Sequence, residues 1–518
     1  MVAITKEEGL KEAKKLVEKF ELNEDLYKND KYNEEQLKTE FLNPFFKALG
    51  WDVNNQQDAA PQFKEVIFED SIKVGKETKA PDYSFRIGGQ RIFFLEAKKP
   101  SRDIKNDKDH AFQVRRYGWS AQLKGSILSD FEELAIYETQ TKPELNQSAS
   151  ISRLKYYNYK EYVEKWDEIW DLFSKEAVMK GKFNKFFKSE KKLKGTTTVD
   201  EEFLKEINQW RELLARNIAL RNELLSESEL NYAVQLTIDR IIFLRMAEDR
   251  GIIKYRTLYN LLDKDNIYEA FGELCLKADL KYNSGLFHFS PESKDDDGVD
   301  TFTLDLTIDD NVFKKILKNL YYPNSPYEFS MISPEILGNV YEQFLGKVIT
   351  LTKGHRAKVI EKPEVKKAGG VYYTPNFIVK YIVENTVGEL LKGKTPNKVS
   401  KMKILDPSCG SGSFLLEAYQ FLLDWHLDYY TGLKKPPKNV IFQARNGEWL
   451  LTIQEKKRIL LNNIYGVDLD ENAVEVTKLS LLLKVLENQN KDSLEAQQKL
   501  TVERVLPNLK DNIKCGNS

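Results

Sequence analysis

Apolar and polar positions along the chain fall into three textures. Between Glu34 and Leu49 the apolar residues Leu37, Phe41, Leu42, Phe45, Phe46 and Leu49 recur at helical spacing, and Gly50 follows as a stop. Strand-like runs come next at 65–68, 82–87, 91–97, 126–128 and 134–137, with a helical pattern over 108–117 between the third and fourth. Residues 150–345 then read as mostly helical, most clearly over 203–225 and 230–250, with Ser226 placed to cap the second of these helices and Gly251 to stop it. From about residue 365 strand-like and helix-like runs alternate to the end, and no repeat of fixed period is present. The pattern predicts a multidomain α/β protein: an α/β domain over 1–150, a helical connector over 151–345 and a second α/β domain over 346–518.

Length and composition agree with this division and remove several alternatives. At about 150 residues per domain, 518 residues predict roughly three domains. Lys plus Arg is 79 and Asp plus Glu is 80, so the chain is no uniformly basic nucleic-acid coat, and any DNA contact is local. Three Cys exclude a disulfide scaffold, and four scattered His with those Cys leave no zinc cluster. No long apolar run and no signal peptide are visible, which predicts a cytoplasmic protein without membrane contact. One basic patch, 180–194, carries seven Lys interleaved with Phe183, Phe186 and Phe187. It reads either as a DNA-backbone contact or as a solvated helix face whose Phe residues pack inward.

Candidate chemistry appears first over 81–100. Two strands flank Gly88-Gly89, and on the second strand Glu96 and Lys98 share a face by the two-residue period. Register decides whether Asp82 joins them. A strict two-residue loop sets Asp82 opposite Leu95, on the wrong face. A three-residue loop or a bulge sets it opposite Glu96. Two carboxylates that close need a cation between them, and an all-oxygen site with open water positions suits Mg²⁺. Lys98 then stands beside the water that such a metal activates.

With its surroundings, Asp82…Glu96-x-Lys98 resembles the PD-(D/E)xK nuclease family, whose core runs helix, three strands, helix, strand. The resemblance implies that Asp82 and Glu96 hold Mg²⁺ and that Lys98 acts on the water. It matches Glu40 to the family's glutamate on the first helix, and Gln113 with Tyr117 to a supporting Gln-x-x-x-Tyr pair; Arg115 and Arg116 add phosphate-binding charge.

A second constellation lies near the C-terminus. Ile404-Leu405-Asp406-Pro407-Ser408-Cys409-Gly410-Ser411-Gly412-Ser413-Phe414 reads as strand, glycine turn and helix start, without the lysine of a Walker loop and without dinucleotide-fingerprint spacing. A later strand ends at Asp468, where an acid is suited to ribose hydroxyls; a cap of the next helix is the plainer reading, as a small buried residue is for Cys409.

The glycine turn strongly resembles motif I of the amino-DNA methyltransferases, which use S-adenosylmethionine. The resemblance implies a Rossmann-like domain. It implies cofactor contacts from Asp406, Pro407, Cys409, Gly410 and Gly412, from Asp468 as the motif II acid, from Tyr373, Thr374 and Pro375 as motif X, and from Asn517 in motif III near the adenine. The order X, I, II, III fits the gamma class of adenine-N6 methyltransferases. The catalytic Asn-Pro-Pro-Tyr/Phe of that class is not found by Ser518, so the methyltransferase domain is expected to be incomplete and the chain to be the front part of a longer protein.

Together the three zones resemble the type IIG restriction-modification enzymes. The resemblance implies double-stranded DNA as partner, Mg²⁺-dependent cleavage, adenine methylation by the intact enzyme, and transient homodimers for double-strand cleavage. Two rival readings stay open: an adenine-specific methyltransferase whose nuclease fold is inactive, and a non-catalytic subunit that binds S-adenosylmethionine or DNA.

Overall fold

A computed structural model of the chain describes all residues except 1–3, 58, 60–63, 69–72, 75–76, 79–80, 190–196, 283–284, 292–298, 364–373, 436, 444–448, 488 and 490–504. Its elements are mixed α/β. They gather into two compact units: Met1–Ile72 with Thr78–Val199 and Pro326–Met331, and Lys73–Glu77 with Asp200–Ser325 and Ile332–Ser518. Among the described residues no helix is long and apolar enough to cross a membrane.

In the first unit β1 (Val66–Phe68), β2 (Tyr83–Ile87), β3 (Gln90–Ala97), β4 (Gly125–Ser129), β5 (Glu133–Glu138) and β6 (Arg153–Asn158) form one six-stranded sheet in that spatial order. Only β3 and β4 run parallel, and helix α1 (Lys108–Ser120) makes the crossover that a parallel pair requires. β6 is absent from the strand pattern in the sequence. It is an edge strand in which only Tyr157 is buried, so it carries almost no alternation to read.

The helical pattern over 34–49 is not one α-helix. Glu34–Leu37 is α, Lys38–Leu42 winds as a π turn, and Asn43–Ala48 is α again. Pro44 explains the change. It has no N–H to give the Glu40 carbonyl, and its ring would press on that carbonyl in an α-helix. The Asn43 N–H bonds back five residues to Lys38 instead. The turn still sends Phe41 inward, where its ring meets Phe20 and Phe131 at 5.4 and 4.7 Å between centroids. Phe45, Tyr162 and Trp166 extend this aromatic core.

The Lys-rich stretch resolves toward packing. Over Lys182–Ser189 it is a helix whose Phe183 and Phe187 are buried in the same core. Gly125 on β4 leaves room for the Phe187 ring, since a Cβ there would lie 2.1 Å from it. Lys191, Lys192 and Lys194 lie outside the described residues.

In the second unit helix α2 (Glu227–Asp249) is buried along nearly its whole length. A capping box between Ser226 and Glu229 starts it. Its charged residues are kept inside by partners: Arg240 meets Asp300 at 2.7 Å, and Arg245 meets Asp249 at 2.6 Å. Next to it lies a short parallel sheet, β7 (Ile404–Asp406), β8 (Ile464–Asp468) and β9 (Ile513–Cys515), with β8 in the middle. Helices α3 (Ser413–Thr431) and α4 (Glu471–Val485) leave the ends of β7 and β8.

Phe41 is fully buried between three rings. Phe41→Ala is expected to cost the first unit about 3–5 kcal/mol, read by denaturant titration of the chain with the far-ultraviolet signal.

Candidate functional site

The β2–β3 turn has two residues, Gly88 and Gly89, both at positive φ of 56° and 80°. It pairs Ile87 with Gln90 and Arg86 with Arg91. The next pair is Phe85 with Phe93, so Ile92 is an extra residue in β3, a bulge. Beyond it Tyr83 faces Leu95, which brings Asp82 level with Glu96. Without the bulge Asp82 would stand one residue out of step, on the opposite face.

The acids are then fixed by donors. The Ala97 N–H bonds to Asp82 Oδ2 at 2.7 Å, and the Lys38 ammonium sits 2.5 Å from Asp82 Oδ1. Lys98 Nζ lies 2.5 Å from Glu96 Oε1, while the buried Glu96 Oε2 has no hydrogen-bond partner among the described residues. Burial pushes the Glu96 carboxyl up to about 8, the Asp82 charge adds to this, and Lys98 draws it back only in part. Burial lowers Lys98, but the Glu96 and Asp82 charges outweigh it and hold the ammonium above its ordinary range.

The remaining residues expected here divide. On α1, Gln113 donates to the Tyr117 hydroxyl at 3.2 Å, and Tyr117 is pushed up by burial and by the Glu96 charge, so this pair borders the acids. Glu40 is turned elsewhere, to Lys19 at 3.0 Å. Glu34, one turn and a half earlier, is the helix carboxylate whose charge bears on Glu96 and Lys98. Arg115 and Arg116 do not offer charge to a phosphate as expected: Arg115 is buried against Gln147, and Arg116 is tied to Tyr327 and Glu328. Lys38 escaped the sequence reading altogether. Its one signal there was its place four residues after Glu34 on a helix that Pro44 disturbs. Among the described residues no group of three or more metal-ligating side chains is assembled.

In the second unit the glycine turn follows β7. Gly410 and Gly412 hold φ of +52° and +83°, and a Cβ on Gly412 would strike Thr477 at 2.8 Å. Thr477 on α4 also donates to the Gly410 carbonyl at 2.8 Å. Asp468 closes the turn from β8: its Oδ2 accepts the Gly410 N–H at 2.8 Å and its Oδ1 the Asp470 N–H at 2.9 Å. Asp406 accepts from the Ser408 N–H at 3.1 Å. Cys409 is buried against Gly466, and burial pushes its thiol up to about 11, so it acts as packing beneath the turn. Pro407 and Asn517 are exposed, Thr374 is half-buried, and Pro375 caps the helix Asn376–Leu391. Tyr373 lies outside the described residues. Glu342, on the helix Pro334–Leu345, was not singled out by the sequence; it accepts a bond from Ser411 in the turn at 3.1 Å.

Residues 385–518 match the family model "MmeI, DNA-methyltransferase domain". The type II restriction enzyme and methyltransferase RM.Eco57I of Escherichia coli is 39% identical over 509 residues, 97% of this chain and 49% of that protein. A putative type II restriction enzyme and methyltransferase of Methanocaldococcus jannaschii is 27% identical, over 57% of this chain and 28% of its own length. The chain thus spans about half the length of the first of these relatives. The solved type IIL restriction-modification enzyme MmeI, in complex with DNA, aligns with a TM-score of 0.33 at 15% identity over 61% of this chain and 40% of its own. By its sequence the chain is a homologue of the type II restriction enzymes and methyltransferases, with a match to the MmeI-type DNA-methyltransferase domain over 385–518.

Proposed function

We propose that the chain carries the nuclease and the cofactor site of a bifunctional restriction-modification enzyme of the cytoplasm, which cleaves double-stranded DNA with Mg²⁺ and, as the intact protein, methylates adenine at N6. The first unit, in this reading, is a PD-(D/E)xK nuclease. The helical stretch up to residue 345 is a connector, and 346–518 is the cofactor-binding part of a Rossmann-like methyltransferase domain. The observation that carries the reading is the bulge at Ile92, which sets Asp82 level with Glu96, whose buried Oε2 has no donor among the described residues. An orphaned buried carboxylate oxygen beside a second carboxylate suits a hard cation.

Asp82 and Glu96 would hold Mg²⁺, which when bound supplies an activated water and charge for the phosphate. Around that position the chain's own residues have defined tasks. The Ala97 amide holds Asp82 in place. Lys98, kept protonated by its carboxylate neighbours, orients Glu96 and presents positive charge to an incoming phosphate. Gln113 and Tyr117 wall the Glu96 side. Glu40, tied to Lys19, has a supporting role at most, and Glu34 takes the place on the helix first given to it. Cleavage of both strands by transient homodimers belongs to the same reading.

In the second unit the glycine turn and Asp468 fit S-adenosylmethionine, which when bound supplies the methyl group. A carboxylate offers about four acceptor positions. The Gly410 and Asp470 amides take two on Asp468, so one remains on each oxygen for the ribose hydroxyls. Gly410 and Gly412 let the backbone come close to the cofactor, Asp406 and Thr374 border it, and Tyr373, Pro375, Pro407 and Asn517 complete the set that the motifs imply.

A second reading, a methyltransferase with an inactive nuclease fold, is favoured by one observation: each acid already has a lysine partner, and no three-ligand cluster is assembled among the described residues. The full-length protein separates the two. Asp82→Ala is expected to reduce Mg²⁺-dependent cleavage at least about a hundredfold with S-adenosylmethionine binding intact; cleavage equal to wild type overturns the assignment of the nuclease to these acids, and no cleavage in wild type favours the second reading. Asp468→Ala is expected to weaken S-adenosylmethionine by about ten- to a hundredfold in calorimetry, as a charged acceptor is lost.

The Glu96 carboxyl gives a pH test. Its folded value, about 8, lies above the ordinary 4.5, so the folded unit holds one more proton between these values and its stability falls as pH rises through that window. Thermal melting of the chain without Mg²⁺ is expected to show this decline, and Glu96→Gln to flatten it.

A further inference from the structure

Lys38 is the least explained cation in the first unit. It is buried, with its side chain 8% exposed, and it lies between two carboxylates of opposite character. On the inner side is Asp82 Oδ1, 2.5 Å away, on a side chain 13% exposed. On the outer side is Glu35 Oε1, 2.8 Å away, on a side chain 74% exposed. The π turn beginning at Lys38 puts the ammonium between them.

The two acids of the site differ in what a cation must displace. Among the described residues Glu96 Oε2 has no hydrogen-bond partner, so a cation can take that oxygen while Lys98 stays on Oε1. Both Asp82 oxygens already have a partner, Oδ2 the Ala97 amide, which the β3 backbone fixes, and Oδ1 the Lys38 ammonium, so a cation that takes a remaining acceptor position on Asp82 stands beside that positive charge. A divalent cation joining Asp82 to Glu96 therefore competes with one movable group, the Lys38 ammonium. Two cations on one carboxylate oxygen repel each other, and Glu35 gives the ammonium a second position that needs only a rotation of the side chain toward solvent.

We propose that Lys38 is a displaceable counter-ion of Asp82, which neutralises this half-buried acid when no divalent cation is bound and passes to Glu35 when one arrives. The inference rests on the nuclease reading above, because it takes Asp82 and Glu96 as the cation's ligands. Lys38 is a positioning residue here. It sets the affinity of the site for metal rather than acting on the phosphate.

The test is Mg²⁺ binding to the full chain, without DNA, by isothermal titration calorimetry. Lys38→Met removes the competitor and keeps the length of the side chain, and it is expected to tighten Mg²⁺ about tenfold. It is also expected to lower the melting temperature without Mg²⁺, as Asp82 loses its partner, and to recover it with Mg²⁺. Glu35→Gln removes the outer position on an exposed residue and is expected to weaken Mg²⁺ severalfold. Glu96→Gln is expected to abolish the titration. If Glu96→Gln abolishes binding but Lys38→Met binds Mg²⁺ no more tightly than wild type, the counter-ion role is overturned and the nuclease reading stands. If Glu96→Gln titrates like wild type, the acids are no cation site, and both fall. Should Lys38→Met fail to fold by circular dichroism, an unchanged affinity in Glu35→Gln overturns the proposal.

Discussion

A carboxylate at the end of a strand is useful only if something holds it still, and in both units a backbone amide does so. Asp82 is bonded by the Ala97 amide of the neighbouring strand, and Asp468 by the Gly410 amide of the neighbouring turn. A main-chain donor cannot rotate away as a side chain can, so each acid inherits the rigidity of the sheet beside it. In the first unit this depends on one residue. The bulge at Ile92 brings Asp82 into step with Glu96 and hence its carboxylate to the Ala97 amide; a regular ladder would turn the acid to the other face. In the second unit it depends on two left-handed glycines, which fold the turn back until Gly410 reaches Asp468.

The sequence made much of this legible, for identifiable reasons. The strand before Gly88-Gly89 alternates over Tyr83–Ile87 and the strand after it carries the apolar run 92–95, and counting residues across the turn showed that only a longer loop or a bulge could unite Asp82 with Glu96. The structure has the bulge, with a two-residue turn. Gln113 and Tyr117 came from the family resemblance, and their spacing of four on one helix face is why the structure finds them in contact. The glycine turn and the strand ending at Asp468 were legible because few backbones other than strand, turn and helix accept that run of glycines.

What stayed hidden depended on tertiary context. The edge strand Arg153–Asn158 is half solvated and has no period to detect. Arg115 and Arg116 look like surface charge until α1 is docked, when one turns into the protein and the other meets Glu328. Glu40 was matched to the family's glutamate on the first helix; in the structure it pairs with Lys19, and it is the Glu34 charge that bears on Glu96 and Lys98. The π turn ahead of Pro44 positions Lys38 on Asp82, a contact between residues 44 apart in sequence that no local pattern encodes. Helix α2 hides its role in another way: its buried arginines and acids resemble a solvated face in sequence, and only their partners, such as Asp300 for Arg240, show that they are interior.

In the proposed function, two acids held by main-chain amides mark two ligand sites of different chemistry, one for a divalent cation and one for S-adenosylmethionine. Amide hydrogen exchange read by mass spectrometry tests it most directly, since the amides concerned belong to the proposed sites themselves. Mg²⁺ is expected to slow exchange across residues 82–98, and S-adenosylmethionine to slow it across 406–412 and 466–470. Exchange at either site that is unchanged by saturating ligand would show that its acid holds no such ligand.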